Sequence, residues 1–175
     1  MQFAKALAAE GAIVYINGRT QKRIDKAVEK IITDTGNKNV KGIVADFADV
    51  KQVDNLIGRL PEIDILINNV GIFDPKEYKD IPDEEWLRFI EVNVLSGVRL
   101  SRAYLGKMLA KNWGRIIFIS SESGYQIPAE MIHYGVTKTA QIAVARGLAE
   151  LTVNSDVTVN TVLQAQQHLK VLEIL

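Results

Sequence analysis

The sequence has no cysteine and only two histidines. The first absence excludes a disulfide framework and a thiolate metal site, and the second argues against a histidine-rich metal centre. No excess of charge of either sign is present, since Lys+Arg and Asp+Glu both number 21. A basic face for nucleic acid or for an anionic membrane surface is therefore not expected. No run approaches the roughly 18 apolar residues that a membrane span needs. The first residues, Met-Gln-Phe-Ala-Lys-Ala-Leu, lack the basic-then-apolar layout of a signal peptide, so the expected location is the cytoplasm.

What is present is an ordinary globular composition, 47% hydrophobic and 24% charged over 175 residues. That length suits one domain with a real core. Strand and helix patterns alternate along it. Residues 3–10 read as a helix capped by Gly11, and the apolar run 12–16 as a buried strand closed by Asn17-Gly18. Thr20 is placed to cap a helix whose apolar positions Ile24, Ala27, Val28, Ile31 and Ile32 recur at helical spacing. A strand over 40–45, a helix over 49–60 stopped by Pro61, and a strand over 64–68 follow. After a loop, residues 83–111 read as one long helix, 115–120 as a strand, 131–151 as a helix and 157–162 as a strand. Short buried strands alternating with helices imply an α/β fold, a parallel sheet with helices on both faces. Residues 164–175 carry moderate helical patterning and no motif.

Four polar features lie on this frame: Asn68-Asn69-Val70-Gly71 after the third strand, Asn93 in the long helix, Ser120-Ser121 at a strand end, and Tyr134-x-x-x-Lys138 on a helix. Each has a bland reading. An Asn-Asn-x-Gly run makes turns, a serine at a strand end bonds nearby backbone, and an i,i+4 pair decorates a helix surface. Tyr-x-x-x-Lys alone should occur by chance in roughly one chain in three of this length. Order and spacing make the case: Ser121 precedes Tyr134 by thirteen residues and Gly124 by three.

Together these features resemble the short-chain dehydrogenase/reductase family over residues 3–163. Ser121 matches its serine in both spacings, and Ser120 in neither. The resemblance implies a Rossmann-like doubly wound parallel sheet in three αβα layers, with residues 1–163 as the NAD(P)-binding domain and 164–175 as a divergent tail. It implies hydride transfer between NADP(H) and a small-molecule carbonyl or alcohol. Tyr134 is then the acid/base, Lys138 lowers the phenol pKa and meets the nicotinamide ribose, Ser121 holds the substrate oxygen, and Asn93 holds a relay water. Asp46, Phe47, Asn69 and Gly71 are the expected cofactor contacts, together with Tyr134 and Lys138. Gly18 stands where NAD-preferring members carry Asp, and Arg19 follows, so NADP is expected over NAD. His133, beside Tyr134, is expected on the surface or in a substrate loop, and Trp86 and Trp113 are expected to pack.

Two departures from the pattern shape further expectations. In this register the family's first strand and glycine-rich loop precede Met1, and Gln164-Ala165 stand where Pro-Gly is usual. The expected consequences are two unpaired strand edges and weak NADP binding, with an inactive remnant or a binding protein of this fold as the alternative reading. The two long helices resemble the family's dimer and tetramer contacts, and Leu95, Val98, Leu105 and Leu109 exceed what one sheet face covers. Self-association is the expected outcome. Light scattering at micromolar concentration checks it, and a dispersed, well-folded monomer would count against it.

Overall fold

A computed structural model describes residues 1–165, which form two compact units. The helical pattern expected over 164–175 lies almost wholly outside the described residues.

The first unit, Met1–Arg59, holds α1 (Gln2–Ala9), β1 (Val14–Gly18), α2 (Gln21–Thr35), β2 (Val40–Val44) and α3 (Val50–Arg59). Gly11 ends α1 in the left-handed region at φ +84°, as its position after the periodic residues implied. Thr20 stands at the N-cap of α2, though its hydroxyl makes no capping bond. The strands β1 and β2 pair in parallel from Val14 with Val40 to Gly18 with Val44. Asn17-Gly18 therefore lies inside the strand rather than closing it. The Asn17 amide explains why, since its Nδ2 donates to both Ile43 O and Ala45 O at 3.1 Å and ties the two strands together. Ala8, Val14, Ile31 and Val40 form the core of this unit, with Leu7, Ile16, Val28 and Ile32 against it.

The second unit begins at Leu60. It contains β3 (Ile65–Asn68), α4 (Asp83–Phe89), a π-helical segment Ile90–Leu95, α5 (Ser96–Ala110), β4 (Gly114–Ser121), α6 (Ile132–Glu150) and β5 (Val157–Gln164). All three strands are parallel in the order β3-β4-β5. Alternate residues of a strand share a face, and on β4 the face bearing Ile116, Phe118 and Ser120 meets both helices. Gly97 of α5 lies so close to Phe118 that an added Cβ would stand 2.8 Å from its ring. From α6, the Lys138 carbonyl accepts the Ser120 hydroxyl at 2.9 Å. Phe89, Tyr104, Met108, Ile116, Phe118 and Val157 fill the core.

The architecture is α/β with parallel sheets, Rossmann-like. Among the described residues β1 pairs only with β2, and β3 only with β4, so each keeps one open edge. The long helix expected over 83–111 is instead two α-helices with the π-helical segment between them. Propensity and periodicity do not register one extra residue in a turn, and such widened turns are frequent at functional sites. The strand β5 continues to Gln164 because its pairing with β4 runs to Ser121.

Candidate active site

In the second unit the marked residues gather at the carboxyl ends of the strands, where parallel α/β sheets present their ligand sites. Asn68 ends β3, Ser121 ends β4, and α6 carries Tyr134 and Lys138 past them. Buried positions Lys138, Gln141 and Ala145 recur along α6 at helical spacing, so one face of that helix is pressed inward.

Tyr134 is half-buried. Burial pushes its phenol above the ordinary value, and a hydrogen bond with the Ser121 side chain pulls the other way. Phe73 packs edge-on against its ring with centroids 6.2 Å apart. Ser121 is itself held, because its Oγ accepts from Ser123 N at 3.1 Å. Lys138 is buried, with its Nζ 5.5 Å from the Tyr134 ring centroid. That ammonium donates to Ile119 O at 2.9 Å and to Gln141 Oε1 at 3.1 Å, and burial lowers its pKa to about 8. The expected lowering of the tyrosine by its lysine is therefore not the dominant effect here. The ammonium lies over the ring, its bonds go to carbonyl oxygens, and desolvation of the phenol prevails.

Asn93 sits in the π-helical segment, 1% exposed. Its side chain accepts from Ile72 N at 2.8 Å and donates to Ile72 O and to Thr137 Oγ1 at 2.9 Å. Thr137 Oγ1 in turn donates to Tyr134 O at 2.7 Å. One asparagine thus joins the loop after β3 to the turn of α6 that presents Tyr134. Gln141 is the participant that motif reading missed: its Nε2 donates to Asn93 O at 2.6 Å while its Oε1 receives Lys138. A polar residue on an otherwise inward helical face was the available signal.

The structure brings Asn93, Ser121, Tyr134 and Lys138 together, with Gly71 beside them. A Cβ on Gly71 would stand 3.6 Å from Asn93 Oδ1 and 3.7 Å from Lys138 Nζ, so glycine leaves that approach open. Asn69 and Gly71 are exposed on the loop after β3. In the first unit Arg19 and Asp46 follow the adjacent strand ends, where Ala45 N donates to Gly18 O at 3.1 Å. Arg19 is exposed and makes no ion pair among the described residues. Asp46 is held in a turn, its Oδ1 accepting from Ala48 N at 3.0 Å, and Phe47 is buried.

Two expectations are corrected. His133 is not a surface or loop residue: it is fully buried against Phe89, with ring centroids 4.0 Å apart, and near Trp86. A helix residue adjacent to an outward-facing one turns by about 100°, here into the core. Trp113 is 41% exposed and lies under the Arg115 guanidinium, 4.7 Å from its ring, rather than packing inside. Among the described residues no cluster of acidic and histidine side chains is arranged to hold a metal, and no helix is long and apolar enough to cross a membrane.

Comparison with known proteins shows the family. The family profile described as short chain dehydrogenase matches residues 1–166. An uncharacterised oxidoreductase of Bacillus subtilis, YvaG, is 46% identical over 160 residues, covering 91% of this chain and 61% of the relative. Among solved structures, the bulky-bulky ketone specific alcohol dehydrogenase from Comamonas testosteroni superposes with a TM-score of 0.86 at 25% identity, covering 93% of this chain and 66% of that one. A candidate NAD(P)-dependent gluconate 5-dehydrogenase from Beutenbergia cavernae, solved with NADP bound at low occupancy, gives 0.84 at 28%, covering 93% and 65%. The chain belongs to the short-chain dehydrogenase/reductase family of oxidoreductases. It spans about three fifths of the length of the B. subtilis relative.

Proposed function

We propose that this chain's residues serve hydride transfer between NADP(H) and a small-molecule carbonyl or alcohol. The observation that carries the reading is the buried Lys138 ammonium over the ring of Tyr134, 5.5 Å from its centroid, with Ser121 acting on the same phenol. The residues fit a nicotinamide nucleotide. Gly71 leaves the Lys138 side open, and Lys138 keeps a third N–H beyond the two bound to Ile119 and Gln141 for a ribose hydroxyl.

The bound nucleotide supplies or accepts the hydride; the protein supplies the proton and the geometry. Tyr134, protonated through neutral pH because burial raises it, donates its proton to the carbonyl oxygen in the reducing direction. Ser121 donates a second hydrogen bond to that oxygen and stabilises the charge that develops there. Lys138 holds a positive charge beside the ring as the phenolate forms. Asn93 acts by position, locking the loop after β3 to α6.

Arg19 supports NADP over NAD, because an exposed guanidinium with no ion pair among the described residues suits a ribose phosphate. With residues 1–163 of this chain exchanged into the full-length frame of its 46%-identical relative, NADPH should be preferred over NADH by about 10- to 100-fold in affinity. Arg19→Ala should narrow that ratio and leave NADH binding unchanged. Equal affinities before mutation would remove the assignment. Loss of NADPH absorbance with a panel of aldehydes and ketones tests the reaction itself, and no turnover with any of them would count against it.

A further inference from the structure

The geometry points to Gln141 as a positioning residue of this site: its side-chain amide ties the Lys138 ammonium to the backbone of Asn93 and holds that charge against the face of Tyr134. Its functional meaning rests on the dehydrogenase reading above.

Gln141 lies one helical turn beyond Lys138, with 2% of its surface exposed. A buried primary amide needs partners for both its ends, and this one has them. Oε1 accepts from Lys138 Nζ at 3.1 Å and Nε2 donates to Asn93 O at 2.6 Å. Chemistry dictates the orientation. An ammonium only donates and a carbonyl only accepts, so the flipped amide would set N–H against N–H and oxygen against oxygen. Three elements meet at this bridge: α6 through Lys138 and Gln141, the π-helical segment through Asn93, and β4 through Ile119 O. The titratable group facing Lys138 is Tyr134, on its own helix.

Two consequences follow for the chemistry. The acceptors at Lys138 Nζ are a backbone carbonyl and an amide oxygen, which receive hydrogen bonds but do not take up a proton near neutrality. Gln141 therefore acts through Lys138, holding its ammonium in place, and the amide itself relays no proton. The Asn93 carbonyl is also engaged, since it accepts from Gln141 Nε2. The burial that lowers Lys138 to about 8 is opposed by these acceptors, which favour the charged form.

The test follows the Lys138 Cε resonance by NMR in the 175-residue chain, with no nucleotide or substrate, across pH. Gln141→Leu removes an acceptor from the ammonium and should lower the Lys138 midpoint by about one unit, a tenfold loss in proton affinity. Gln141→Glu places a carboxylate there and should raise it by at least about one unit. Thermal melts establish that each variant is folded. Midpoints in folded variants that stay within about 0.3 unit of wild type would overturn the inference. Should neither variant fold, hydrogen exchange in the wild type decides: the Gln141 side-chain amide should exchange far more slowly than that of exposed Gln126, and equal rates would overturn it. A failed turnover assay leaves these readings untouched, and a failure here leaves the dehydrogenase reading standing.

Discussion

Tyr134→Phe should lower turnover at least ~100-fold, the smaller end of what a positioned acid or base contributes. Measured with residues 1–163 carried in the full-length frame of the 46%-identical relative, NADPH affinity should stay close to that of the unmutated protein. Phenylalanine keeps the ring that packs on Phe73 and faces Lys138, and it removes the hydroxyl that bonds Ser121. The direction of the reaction separates the two protonation states. Reduction needs the phenol, which burial keeps protonated through neutral pH, whereas oxidation needs the phenolate and should quicken as pH rises towards the raised pKa. A Phe variant turning over at near-normal rates would dismiss Tyr134 as the proton donor.

Folding stability should rise with pH because of Lys138. Its ordinary value is 10.5, and burial brings the folded value down to about 8. Below about pH 8 both states are protonated and the burial cost is fully present. Between about 8 and 10.5 the unfolded chain binds more protons than the folded one, so stability increases with pH through that window. The whole change is on the order of 3 kcal/mol, since each unit is worth about 1.4 kcal/mol. Tyr134 and Tyr104, both raised by burial, act in the opposite sense above pH 10. The clean measure is therefore the difference between wild type and Lys138→Met in urea unfolding from pH 7 to 10. Lys138→Met should lack the rise. Parallel curves for the two proteins would mean that Lys138 is not titrating as a desolvated group.

The pattern of the candidate site residues was legible because each lies on or beside a regular element with a local signal. Tyr134 and Lys138 are an i,i+4 pair on a helix, Ser121 closes an apolar strand, and Asn69 and Gly71 follow another. Parallel pairing was implied by the alternation of short apolar runs with amphipathic helices. Less legible were features created by partners far away in the chain. Asn17-Gly18 reads as a turn because those residues favour turns, yet the pairing with β2 draws both into the strand.

His133 and Gln141 show the same limit from inside one helix. Both are polar and ordinarily exposed, and α6 buries both because it is pressed against other elements on more than one side. The sequence by itself determined the alternation of elements, the parallel α/β class and the spacing that sets Ser121, Tyr134 and Lys138 at strand end and helix face, since these depend on periodicity and residue type within short windows. Only the tertiary structure decided that α4 and α5 are joined through a π-helical turn at Asn93, that Tyr134 is raised rather than lowered, and that an amide from Gln141 links Lys138 to Asn93. Each of those depends on groups such as Asn93 and Gln141, 48 positions apart in the chain, whose burial and hydrogen bonding exist only after packing removes water between them.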